Sequence, residues 1–397
     1  VQKQAIQPLP SSRRTAIVDI LRGWALLGVV LINYPMFFFL LKDFSTVKQD
    51  TFTSSLQQVI AIVFSSKSWT LLSFLFGYGF AVLMKHVAEK GLSPAVFFAR
   101  RMGWLMVFAL INTAFYFSDI LKDYAVLGLL LLLFRRSSAR TCFVVAIVLF
   151  AAVPFVSACL SRISRPGEDV LAGLIHLYKS HNPLDVFWFG LKGSALSLVS
   201  SVSYIVPVRI VMTGCFFLGA AAQKIDFFNR LASYQKQVKL VFWITLAGSV
   251  ALNRLLNASA QHHWGYLQYF RPGYWLVLSS MLFITASICW LYNAGKCNTF
   301  FHALQLTGRM TLTHYIMQNL LGMLVFSGFG LGLFNSMPYL FYVALAVAVF
   351  IAQVFFSQWW LARYRYGPLE WIWRQLSYGR RLPIRKESRA QEAPLNA

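Results

Sequence analysis

The chain has 397 residues, 58% of them hydrophobic and only 12% charged, with a mean hydropathy of +0.59 and a formal net charge of +23. A soluble domain of this length carries about a quarter charged residues, so this composition excludes one. Long apolar runs recur from end to end and describe a polytopic membrane protein.

The runs are built from Leu, Val, Phe and Ala without the alternation of barrel strands, so each must satisfy its own backbone as a helix. The expected fold class is all-α, a polytopic helical membrane protein of about ten transmembrane helices with both termini cytoplasmic. In chain order the spans are 17–41, 56–84, 102–118, 120–134, 141–160, 204–222, 239–256, 274–292, 304–328 and 339–361. Residues 1–16 form a cytoplasmic amino-terminal tail, 17–361 one helical bundle, and 362–397 a cytoplasmic amphipathic helix with a basic tail. No separate soluble domain is expected.

The arginine pair of "SSRRTAIVDI" is similar to a twin-arginine signal, but Asp19 and Arg22 interrupt its apolar region, so the first span reads as a signal anchor. Asp19 and Arg22 are three apart on one helix face, and Asn33 shares that face three turns on. The pair serves either as a headgroup anchor or as part of a binding site. Gly23 and Gly28 suit close helix contact. Lys67 interrupts 56–84, which is therefore tilted or broken. Between the third and fourth spans, Asp119 and Asp123 lie one turn apart at the outer membrane face, with Asn112 set more deeply. Asp123 reads as solvated. An extra re-entrant or amphipathic piece fits 184–203.

Within 304–328, Thr307, Thr311, His314 and Gln318 are spaced four, three and four, a polar stripe on an apolar helix. Such a stripe faces protein or water, either as a functional site or as hydrogen-bonding glue between helices. His314 lies roughly 13 Å into the span at about 1.5 Å per residue. Arg309 is closer to the inner surface, where it suits a phosphate or carboxylate.

With the amino terminus inside, most of the 36 lysines and arginines fall in inner loops and tails, notably in 85–101, 135–140, 224–239 and after 361. That asymmetry follows the positive-inside rule, so basicity reports topology and not nucleic-acid binding. The five cysteines have no CxxC spacing and read as packing residues. "GFGLG" at 328–332 completes no dinucleotide fingerprint, and His262 and His263 are wrongly spaced for a metal, so no metal is expected.

"GRMTLTHYIMQNLLGMLVFSGFGLGLF" at 308–334 is followed by "FSQWWLARYRYGPLEWIWRQLSYGR" at 356–380. Together they closely resemble the carboxy-terminal signature, about 220–380, of the YeiB-like bacterial membrane proteins, domain of unknown function 418. "DILRGWALLGVVLINYPMF", "LLSFLFGYGFAVLM" and "SDILKDYAVLGLL" resemble the same family's amino-terminal half. Two positions depart from its pattern: Asn112 stands where relatives commonly have a histidine, and His314 where they commonly have Asn. The family is similar to a wider group of transmembrane acyltransferases, including the lysosomal heparan glucosaminide acetyltransferase.

The resemblance implies an acyltransferase of the bacterial cytoplasmic (inner) membrane, with multiple spans. An acyl thioester such as acyl-CoA would be the donor, with no tightly bound cofactor. In that reading Arg309 and Arg22 hold the donor, His314 deprotonates the acceptor or receives the acyl group, and Asp119 orients the acceptor, with Asp19, Asn33, Asn112 and Gln318 around them. Expected partners are the lipid bilayer and a small-molecule, glycan or lipid acceptor, with a homo-oligomer left open. A transporter or lipid-handling protein without acyl transfer is the alternative.

Overall fold

The computed structural model describes residues 15–39, 50–91, 93–163, 170–200, 202–262 and 264–386. No strand forms among them beyond an isolated bridge between Tyr364 and Arg385. Eight helical stretches among the described residues are long and apolar enough to cross a bilayer.

The first is α1 (Ala16–Phe39). It is followed by the pair α2 (Thr51–Val63) and α3 (Lys67–Glu89), which is broken where Lys67 interrupts the apolar run. Ser66 takes a left-handed φ of 61°, and the Lys67 ammonium turns back to the Ala61 carbonyl at 3.0 Å. A cation on the last carbonyls of α2 satisfies groups that a helix end leaves bare. Next come α4 (Pro94–Thr113), the short α5 (Leu121–Leu130) and α6 (Ala139–Ile163). The 170–200 region forms a helical hairpin, α7 (Val170–Tyr178) and α8 (Pro183–Ser200), where one re-entrant or amphipathic piece was expected over 184–203. Then follow α9 (Val202–Lys224), α10 (Gln235–Gln261) and α11 (Gly273–Asn293).

The expected span over 304–328 is not one helix. It is α12 (Asn298–Gly308) and α13 (Thr311–Phe326), parted at Arg309 and Met310. The break has an identifiable cause on the following segments, α14 (Tyr339–Arg363) and α15 (Pro368–Tyr378). Glu370 of α15 reaches across to the start of α13. Its carboxylate accepts from Leu312 N at 2.6 Å, Thr313 N at 3.1 Å and Thr313 Oγ1 at 2.6 Å. An acid at a helix amino terminus satisfies orphan donors and meets the positive end of the dipole. Glu370 stands in the first turn of its own helix, yet its side chain caps another.

The broken helix is also wedged in place. A Cβ on Gly308 would lie 1.8 Å from the Asp19 carbonyl oxygen, and one on Gly23 would lie 2.0 Å from that of Leu304. The α1 and α12 backbones therefore touch, which only glycine allows. This crossing makes α1 the most enclosed helix, with Leu21, Ala25, Leu26 and Val30 fully buried. It also sets the Asp19 backbone against Gly308, the residue before Arg309.

One end of the bundle gathers the start of α1, the end of α3, the start of α4, Arg135 and Arg136 after α5, the α9–α10 loop, and α15, all of which border two adjoining cavities. At the other end Phe37 packs on Phe326 at 4.6 Å and Tyr178 at 5.8 Å, with Phe334 against Tyr178 at 5.5 Å. The basic loops thus share one face, and a closed aromatic layer occupies the opposite one.

Candidate functional site

The larger cavity, about 980 Å³, opens on the basic face. Its mouth is polar. Arg22, Lys85, Arg101, Arg309 and Arg374 border it, with Asp19, Glu89, Asp226 and Glu370 between them. Three of these acids are committed: Asp19 accepts from Arg22 Nη1 at 3.0 Å, Glu370 caps α13, and Asp226 accepts from Asn229 Nδ2 at 2.5 Å. Trp373 of α15 donates its indole N–H to the Arg101 carbonyl at 3.0 Å, and the Arg101 guanidinium lies 3.5 Å over the Trp373 ring. The side chain is thereby held rigid, as suits recognition of a planar anion. Deeper in, the walls are Leu26, Leu72, Leu75, Phe76, Leu105 and Leu121. Guanidinium groups at the entrance and an apolar interior match an anionic amphiphile.

The inner end of the cavity is formed by Tyr124 and Tyr315. Behind Tyr315 lies a buried polar network. Asp119 Oδ1 accepts from Tyr315 Oη at 2.9 Å, Asn112 Nδ2 at 2.8 Å and Leu121 N at 3.2 Å. Asn319 Nδ2 donates to Asn112 Oδ1 at 3.2 Å. Asp119 is 2% exposed, and its Oδ2 is buried without a hydrogen-bond partner. A buried, half-satisfied carboxylate is costly, and such sites are most often retained for chemistry. Burial lifts the Glu370 carboxyl above the ordinary glutamate pKa, although its bonds to Thr313 and the α13 amides act in the opposite direction.

The structure divides the sequence-expected residues into three groups. Asp19, Arg22 and Arg309 border the cavity together. Asp119 and Asn112 lie directly behind its inner wall, reached through Tyr315. His314, Gln318 and Asn33 do not border it. His314 Nε2 shares a 2.6 Å hydrogen bond with Ser357 Oγ of α14, and Gln318 Nε2 donates to Gln353 Oε1 at 2.9 Å. Gln353 in turn donates to the His314 carbonyl at 3.1 Å. These residues join α13 to α14 on the side facing away from the cavity. The break at Arg309 rules out a single continuous stripe from Thr307 to Gln318. Asp123 is also not solvated: it pairs with Arg209 at 2.9 Å.

Tyr315, Asn319, Gln353, Ser357 and Arg101 were missed from the sequence. Tyr315 and Asn319 are four apart, one step round the helix from His314 and Gln318, and so form a second polar face. Gln353 and Ser357 are likewise four apart in an otherwise apolar helix, a signal that was legible.

Residues 222–380 match the family model described as "Protein of unknown function (DUF418)". Over its whole length the chain is similar to three bacterial proteins. "Uncharacterized protein YxaH" of Bacillus subtilis (strain 168) is 26% identical, over 97% of this chain and 99% of that protein. "Uncharacterized 39.9 kDa protein in amylase 3'region" of Bacillus acidopullulyticus is 26% identical, over 96% and 98%. "Uncharacterized protein YeiB" of Escherichia coli (strain K12) is 25% identical, over 92% and 96%. No solved structure matches significantly. With the family model matched over residues 222–380 and three relatives aligned nearly end to end, the chain is similar to the YeiB-like DUF418 membrane proteins.

Proposed function

We propose that the protein is an integral membrane acyltransferase that draws an acyl thioester of coenzyme A from the cytoplasm and passes the acyl group to an acceptor at the membrane. One observation carries this reading. A single cavity has guanidinium groups at its basic mouth, an apolar interior, and a tyrosine backed by a buried carboxylate at its inner end. Arg309, Arg101 and Arg22 suit the donor's phosphates, and Leu72, Leu75 and Leu105 suit the acyl chain. In the transfer, an acceptor hydroxyl or amine attacks the thioester carbonyl and the thiolate leaves toward the basic face. The acceptor's proton passes to the Tyr315 oxygen as Tyr315 gives its own to Asp119. His314, which does not border the cavity, has no part in this proton path.

The same reading places the protein in the bacterial inner membrane with ten crossings and both termini in the cytoplasm. The supporting arrangement is that α4 leaves the basic face at Pro94 and the chain is back there at Arg135, so short α5 is a return leg. The pair α12 and α13 counts as one broken crossing.

The test is binding of butyryl-CoA and palmitoyl-CoA to the purified protein in nanodiscs, followed by release of free thiol. Wild type should bind at least one of them. Arg309→Gln should weaken binding at least about tenfold, since a hydrogen bond to a charged group contributes roughly 1.5–3 kcal/mol. No binding of either thioester, together with protein-dependent passage of a solute or lipid across proteoliposomes, would overturn the reading in favour of transport.

A further inference from the structure

A second cavity, about 780 Å³, lies beside the first on the basic face and is not used by the proposed reaction. Its polar wall carries Lys85, Arg135, Arg136, Lys224 and Arg230, with Asp226 as the only acid among the described residues. Its floor is apolar, made by Phe80, Met84, Ala88 and Ile225.

The basic groups are built into the fold. Lys224 at the end of α9 donates to the Ser137 carbonyl at 2.6 Å, which ties α9 to the turn carrying Arg135 and Arg136. Arg135 is itself set by a 3.1 Å bond to the Leu132 carbonyl. Arg230 lies 3.9 Å from Asp226, which also accepts from Asn229 at 2.5 Å, so the acid is engaged on both sides. The net result is a concentration of positive charge at the level where the bundle leaves the bilayer. Ile225 of that lining is exposed, as are Leu130 and Leu133, which shortly precede Arg135 and Arg136 in the chain, with Leu133 at 76%. Exposed leucines next to a cluster of arginines match a molecule with a phosphate head and hydrocarbon tails. A soluble phosphate would use the cations but leave the leucines bare.

We propose that this second cavity is a binding site for the phosphate headgroup of an anionic phospholipid from the leaflet on the basic side. The headgroup sits between Arg135, Arg136 and Lys224, and its acyl chains run along the exposed face of α5. The site shares Phe80, Lys85, Gln223 and Asp226 with the larger cavity, so a bound lipid forms part of the wall around the mouth of the first. This assignment does not depend on acyl transfer.

The experiment exposes the delipidated full-length protein in detergent to phosphatidylglycerol, cardiolipin or phosphatidylcholine and counts retained lipid by native mass spectrometry. Wild type should keep the anionic lipids and release phosphatidylcholine. A cation at an anionic lipid surface contributes on the order of fivefold in affinity, so Arg135→Gln with Arg136→Gln should weaken retention roughly 25-fold. Both side chains are exposed, so this double variant keeps the fold; adding Lys224→Gln should weaken retention further. Arg309→Gln, in the other cavity, should leave lipid retention unchanged while reducing acyl-CoA binding, which separates this proposal from that reading. Equal retention of phosphatidylcholine would overturn it. So would a double variant that binds as wild type does, or displacement of the lipid by millimolar inorganic phosphate alone.

Discussion

Tyr315 of α13 donates its hydroxyl to Asp119, two residues before α5, over 2.9 Å, linking positions 196 residues apart in the chain. It links the cavity directly to the buried network of Asp119, Asn112 and Asn319. Tyr315→Phe keeps the ring and the packing but removes that link. Acyl-CoA binding should stay within about threefold of wild type, while thiol release at saturating donor falls on the order of 100-fold, as for loss of a general acid or base. Unchanged turnover would remove the tyrosine from the proton path.

His314→Asn tests the other face of the same helix. The histidine bonds Ser357 and holds α13 to α14, so the variant should bind and turn over acyl-CoA as wild type does. Its cost should appear in stability, about 1 kcal/mol in detergent unfolding for one altered buried hydrogen bond. A large loss of turnover with normal stability would return His314 to the chemistry.

Glu370 sets a pH dependence. Burial raises its pKa in the folded state above the ordinary value of about 4.3. The folded protein therefore holds that proton more tightly than the unfolded chain. The associated stability is fully present below about pH 4.3 and is lost as pH rises through the raised value. Glu370→Gln, which keeps an acceptor for the α13 amides, should flatten the unfolding midpoint across that window. Glu370→Ala should destabilise at every pH, because it leaves the Leu312 and Thr313 amides uncapped. An identical pH slope in wild type and the glutamine variant would show that this carboxyl does not titrate between the two states.

The topology is checked by reporter fusions. Fusions at 92, 137, 230 and 390 should report the cytoplasm, and those at 45, 170, 265 and 335 the opposite side. A cytoplasmic signal at 170 would break the register of the central crossings.

Most of the architecture could be read from the sequence because membrane helices announce themselves by length and hydropathy. The Asp19–Arg22 pair and the break at Lys67 were legible because local spacing decides both. The break at Arg309 was not. Its cause lies in distant partners, a carboxylate in α15 and the α1 backbone pressed against Gly308. The same limit applies to the site. Sequence periodicity shows that His314 and Tyr315 lie on different faces of α13, but which face meets the cavity depends on packing against α14. The Asp123–Arg209 pair, 86 residues apart, was hidden for the same reason.

The cap on α13 also dictates an order of events during synthesis. Glu370 is translated 58 residues after Leu312, a delay of about 3–12 s at roughly 5–20 residues per second. Through that interval the first amides of α13 lack the partner they have in the finished fold. The mouth of the cavity lacks its α15 wall for the same time. Maturation of the site is thus a carboxy-terminal event: a chain that stops after α14 would carry every long apolar helix and still lack a finished entrance.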